Sequence, residues 1–238
     1  MSDDGELLWT ATNHERCYAL RTDWFIKRLL HEHELPVDDT GRPLRPLWDE
    51  ERMRNEYAAT KFIGKYTDLP VQECEFYMSK GVWHFASEAI LDAIQLEYAP
   101  TDIRAAAIAS VNEQIEGVIL PRLREFTRQH IGSISKSVPV FPPARIYGSD
   151  SRTWERITSD RKEFVFCHNN LTAKNIWICP ETLKIKSITG WEHAGFFPPE
   201  YELPLWTVSG WTARRAMQNR ALERDLALFN LSKSDLNG

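Results

Sequence analysis

The stretch from Phe164 to Ile188 restricts the fold more than any other part of the chain. Phe164 to Cys167, Ile176 to Ile178 and Lys184 to Ile188 are short apolar runs of strand character, gathered around a polar loop and a Pro180-Glu181-Thr182 turn. Short strands and loops packed this densely are characteristic of sites where loops carry function on a rigid frame.

The frame is partly legible on either side. Cys17 to Leu20 and Trp24 to Leu29 read as two strands joined through Arg21, Thr22 and Asp23, a hairpin with Asp at the bend. Leu35 to Pro46, rich in Pro and Asp, reads as loop. Asp49 to Lys65 reads as a helix: Met53, Tyr57, Ala58 and Phe62 fall near helical spacing, three acids open it, and Gly64 lies near its stop. Pro70 begins an extended segment. Val82 to Leu96 fits neither period, and only Ile94 to Tyr98 is assigned to a strand. Thr101 is expected to cap a long helix that buries Ile103, Ala107, Val111, Ile115 and Val118 along one face. Gly117 and Pro121 should kink that helix, which is expected to resume through Leu123 and Phe126 and stop at Gly132. Pro139, Pro142 and Pro143 mark the strongest break, and Ala213 to Phe229 forms a last helix.

Composition removes several classes. With 42% hydrophobic residues, including 11 Phe, 9 Trp and 7 Tyr, the chain has enough apolar surface for a sizeable core. The net charge of −5, from 29 Lys plus Arg against 34 Asp plus Glu, gives no chain-wide field for nucleic acid, and no nucleic-acid partner is expected. No run of about 18 apolar residues is present for a membrane span. Early charges at Asp3, Asp4 and Glu6 leave no secretory core, so a cytoplasmic location is expected. Cys17, Cys74, Cys167 and Cys179 contain no CxxC pair and read as reduced thiols, while His31 and His33 lack a nearby third ligand.

The chemistry concentrates in His168-Asn169-Asn170-Leu171-Thr172-Ala173-Lys174-Asn175 and in Ile188-Thr189-Gly190-Trp191-Glu192-His193-Ala194-Gly195, continuing through Phe196, Pro198, Pro199 and Glu200. These segments resemble the aminoglycoside phosphotransferase-like branch of the protein-kinase-like superfamily, which reads His-x-Asp-x-x-x-x-Asn in its catalytic loop and Asp-Trp-Glu after a short hairpin. The resemblance implies an α+β, two-lobed, kinase-like fold with a reduced N-terminal lobe over residues 1–99. A mainly helical C-terminal lobe would span residues 100–238 and carry the catalytic-loop hairpin, with a shortened acceptor region.

Phosphoryl transfer needs a carboxylate to orient the attacking hydroxyl, plus an Asn and an Asp to hold the magnesium that bridges the phosphates. In the frame of the resemblance, Asn170 stands at the catalytic Asp and Gly190 at the metal Asp, leaving Asn175 as a neutral metal donor. His168 would brace the loop, and Glu192 would reach the ion only if its stretch were extended. Lys27 takes the place of the lysine that touches nucleotide phosphates, with Glu56 as its partner, or it is an exposed strand-end cation. Gly5 is the only glycine before Lys27, so no Gly-rich loop covers the phosphates. Gln95 to Ala99, with Glu97 and Tyr98, would form the adenine hinge. ATP and magnesium are the implied cofactors, with magnesium binding expected to be weak. The leading expectation is a degenerate phosphotransferase-like protein, weak or inactive, that retains nucleotide or partner binding. The alternatives are an active ATP-dependent kinase of a small-molecule hydroxyl and an interaction module that binds no nucleotide.

Overall fold

The computed structural model describes residues 5–134, 138, 140–141, 143–147 and 154–237; Asp3, Asp4, Pro139 and Pro142 lie outside them. The chain opens with strands β1 (Leu7–Thr12), β2 (Arg16–Arg21) and β3 (Trp24–Leu29), followed by helix α1 (Asp49–Tyr66) and strands β4 (Cys74–Ser79) and β5 (Val82–Glu88). The five strands form one antiparallel sheet in the order β1-β2-β3-β5-β4. The expected β2–β3 hairpin is present, with Tyr18 opposite Lys27. Unforeseen are β1, whose residues are almost all exposed, and the β4–β5 hairpin. That hairpin turns on Lys80 and Gly81, both at positive φ (49° and 81°), the pairing that suits the strand twist. Phe76 and Trp83 stack at 4.6 Å across it, so Val82–Glu88 is a strand where the residue pattern favoured neither period.

Strand β6 (Ile94–Gln95) is shorter than expected, because Leu96–Tyr98 closes into a 3-10 turn. Helix α2 (Thr101–Gln114) has Pro100, not Thr101, at its N-cap, with Thr101 as the first helical residue. Ala107, Val111 and Ile115 are buried as expected, but Val118 is 60% exposed. The cause is a π turn over Ile115–Ile119, which leaves Glu116, Gly117 and Val118 outside and buries Ile119 and Leu120. Pro121 follows the π turn directly, near the start of α3 (Leu120–Arg124), in a backbone that stays helical throughout. Helix α3 ends well before Gly132, since the following backbone pairs as β7 (Thr127–Arg128) and β8 (Gly132–Ser133).

After the short α4 (Ala144–Tyr147) come β9 (Phe164–Cys167), β10 (Ile176–Ile178), β11 (Ile185–Ile188) and β12 (Gly195–Phe197), then α5 (Trp211–Ala227). Helix α5 begins and ends two residues earlier than its apolar spacing indicates. The short strands form two small sheets, β11-β10-β6 and β7-β9-β12-β8. Strand β6 thereby ties the segment after the large sheet to the His168–Asn175 region, with Trp177 opposite Gln95. A continuous core runs from Ala59 and Ile63 of α1 through α2 and α3 to Phe166, Trp191, Phe196 and Leu226. A smaller cluster of Met53, Cys74 and Phe85 seals α1 against the sheet. Among the described residues no helix is long and apolar enough to cross a membrane.

Candidate functional site

A cavity of about 680 Å³ lies between the five-stranded sheet and the loops that flank β10 and β11. Phe25, Phe85, Trp177 and Ile188 supply apolar walls, and Lys27, Glu56, Lys174 and Asn175 supply polar groups. Lys27 projects from β3, the middle strand, and forms a buried ion pair with Glu56 of α1 while lying 4.9 Å from the Phe85 ring centroid. It is therefore not an exposed strand-end cation. Helix α1 is positioned for this pairing by Asn55, whose buried amide donates to the carbonyls of Glu192 (3.0 Å) and Ala194 (2.9 Å).

The His168–Asn175 loop is braced from inside. His168 is fully buried; its Nε2 donates to the Thr189 carbonyl at 3.0 Å and its Nδ1 accepts from the Asn170 amide at 3.2 Å. This pairing fixes one neutral tautomer, and burial drives the ring down to about 4. Asn169, at φ 62°, donates from its side chain to the His193 carbonyl at 3.1 Å. The backbone amides of His168 and Asn169 both donate to Oε2 of Glu202, which burial pushes up to about 7 against the opposing pull of those amides and of Arg145 and Arg124. Among the described residues, Glu202 Oε1 and Asn169 Oδ1 are buried oxygens with no hydrogen-bond partner.

Asn175 and Gly190 meet. Asn175 donates from its amide to the Asn170 carbonyl at 2.8 Å, and the rest of its side chain rests on Gly190. Gly190 has φ 79°, and a Cβ built there would lie 2.8 Å from Asn175 Oδ1 and 2.9 Å from both Cγ and Nδ2. The side-chain amide thus fills the space that any larger residue at position 190 would enter. Glu192 does not share an extended face with Gly190, because Trp191–His193 is a 3-10 turn. Its carboxylate faces Arg16 (3.3 Å) and Arg52 (3.4 Å), both nearly inaccessible. Burial alone would raise this carboxyl, but Arg16, His193, Arg52 and Lys27 hold it at about 2.

A magnesium site ordinarily uses one or two carboxylates besides phosphate oxygens. Position 190 offers no side-chain donor, Asn175 keeps only its neutral Oδ1 because its Nδ2 is bound to the Asn170 carbonyl, and Glu192 belongs to two arginines, so the carboxylates that a divalent ion needs are missing here. Among the described residues no group of three His, Cys, Asp or Glu side chains converges to hold a metal. Tyr98 lines the cavity mouth and is 65% exposed. Glu97 does not line the cavity; it forms a largely shielded two-pronged ion pair with Arg214 of α5, at 3.0 and 3.3 Å. His168, Asn170 and Glu192 do not line the cavity. Asn55 and Glu202 escaped the sequence reading, and Asn169 stood there only as a member of the loop; all three pair with backbone groups, which leave no residue signature.

No protein-family model matches the sequence, and no curated protein is significantly similar to it. Solved structures are similar along nearly the whole chain. Aminoglycoside phosphotransferase APH(3'')-Id from Streptomyces rimosus is 14% identical with a TM-score of 0.52, the match covering 96% of this chain and 88% of that one. APH(2'')-IIa, solved as a ternary complex with streptomycin and ATP, is 11% identical with a TM-score of 0.50, covering 94% and 83%. A thermostable mutant of APH(4)-Ia, solved with ADP and hygromycin B, is 12% identical with a TM-score of 0.50, covering 93% and 78%. With its antiparallel N-terminal sheet and helical C-terminal region, the chain has the kinase-like fold of the aminoglycoside phosphotransferases.

Proposed function

We propose that the protein is a degenerate member of the kinase-like phosphotransferases, binding an adenine nucleotide in the 680 Å³ cavity without transferring its phosphoryl group. The observation that carries this reading is the contact between Asn175 and Gly190: position 190 carries no carboxylate, and the Asn175 side-chain amide lies where the Cβ of any larger residue there would start. Lys27, held by Glu56, is the group that meets the phosphates, and the walls of Phe25, Phe85, Trp177 and Ile188 suit a planar base. Asn170 can hydrogen-bond a hydroxyl but cannot take its proton, and general-base assistance is worth about 10² to 10⁴ in rate. We retain residues 1–99 and 100–238 as the two lobes, and the cytoplasm as the location.

The test is ADP release from ATP and magnesium in the presence of streptomycin, gentamicin or hygromycin B, with ATP binding followed in parallel by calorimetry. The expected result is binding without turnover above the buffer background. Magnesium-dependent ADP release that Asn170→Ala abolishes would establish an active transferase instead, and an absence of binding would favour the interaction module.

A further inference from the structure

The cavity contains a cation that has no charge partner among the described residues. Lys27 is neutralised by Glu56, and Glu88, the other acid on the cavity wall, accepts from the backbone amide of Glu73 at 3.3 Å. Lys174 is exposed, lines the same cavity and makes no ion pair or hydrogen bond among the described residues. The 3-10 turn over Ala173–Asn175 separates three neighbours: Ala173 is buried, the Asn175 amide turns back to the Asn170 carbonyl, and Lys174 is left on the cavity wall. Gly190 and Thr189 line the same wall. An anion at this end of the cleft meets no metal ligand, but it does meet an ammonium group with three donors.

We infer that Lys174 supplies the positive charge that a divalent ion would otherwise bring, so that the terminal phosphates of a nucleotide are held between Lys174 and Lys27 without metal. This rests on the reading of the cavity as a nucleotide site. Three properties follow from replacing a doubly charged, geometrically demanding ion by one flexible ammonium. Binding is indifferent to magnesium and to chelator. It weakens as salt rises, because Lys174 is solvent-exposed and its field is screened. It also grows with the number of phosphates, so ATP binds more tightly than adenosine.

Calorimetric titration of the intact chain with ATP, ADP and adenosine, in magnesium and in EDTA, tests this. The parent should bind ATP equally in both buffers and more tightly than adenosine. Lys174→Ala should weaken ATP by about five-fold, the worth of an exposed charge-assisted contact. Adenosine affinity should stay unchanged in this variant, which also shows that the exposed substitution leaves the fold intact. ATP binding that strengthens with magnesium, or that is unaffected by Lys174→Ala, overturns the inference while leaving the nucleotide site standing. Adenosine and ATP binding equally in the parent has the same meaning. If neither binds, the reading of the cavity fails and the role of Lys174 falls with it.

Discussion

Glu202 and His168 are joined through one hydrogen bond, and burial acts on them in opposite senses. Glu202 is raised from 4.5 to about 7, so the folded protein keeps a proton that the unfolded chain has released, and stability falls as pH climbs across that interval. His168 is lowered from 6.5 to about 4, so the unfolded chain holds a proton that the folded one refuses, and stability falls as pH drops across that interval. Between about 4.5 and 6.5 the two slopes cancel, and the parent should show nearly flat stability there. Glu202→Gln removes one of them. Urea denaturation of this variant should show stability rising by about 1.4 kcal/mol per pH unit through the same window; a profile parallel to the parent would count against opposed titration. Of this network only His168 is legible in the sequence, through its spacing to Asn175 within one loop. Glu202 is not, because its partners are backbone amides, which carry no residue signature.

At the scale of elements, the placement of α1 depends on Asn55, whose amide reaches two carbonyls of the turn after Gly190 across 137 and 139 residues of sequence. Asn55→Ala would leave the buried Ala194 carbonyl and the partly buried Glu192 carbonyl without donors, at a cost of about 3 kcal/mol. Asn55→Asp should cost more, since it sets a carboxylate against both carbonyl oxygens. Chemical denaturation ranks the variants, and hydrogen exchange should show amides 190–194 losing protection before the β4–β5 hairpin does. A cost below 1 kcal/mol for Asn55→Ala would show that α1 is seated by Met53, Ala59 and Ile63 alone. The range of α1 is legible because its first turn is acidic and its apolar residues repeat at helical spacing. The β4–β5 strands are not, because their turn pairs Lys80 with Gly81, and nothing about a lysine announces a positive φ.

Over the whole molecule, the large sheet and the loop after Gly190 share a buried charge group in which Arg16 of β2 and Arg52 of α1 meet Glu192, Asp49 and Glu15. The two-lobed fold was legible through its motifs, whereas this joint was not, because its members are far apart in sequence. The core beneath it is continuous from α1 to α5, so a rotation of any one helix is felt throughout. Losing one residue from a buried helix ordinarily turns everything beyond it by about 100°. Deleting Ala109 from α2 should therefore unfold the protein. The π turn inverts this rule for its exposed residues 116–118. Deleting Gly117 would place Ile119, Leu120 and Leu123 at i+3, i+4 and i+7 from Ile115, the spacing of an unbroken α-helix, with their burial preserved. Pro121 would then sit inside that helix, at a cost of about 3 kcal/mol. Thermal unfolding should find the Gly117 deletion destabilised by that amount and restored by Pro121→Ala. The π turn is thus a stored insertion, a place in this core where a change of chain length is reversible.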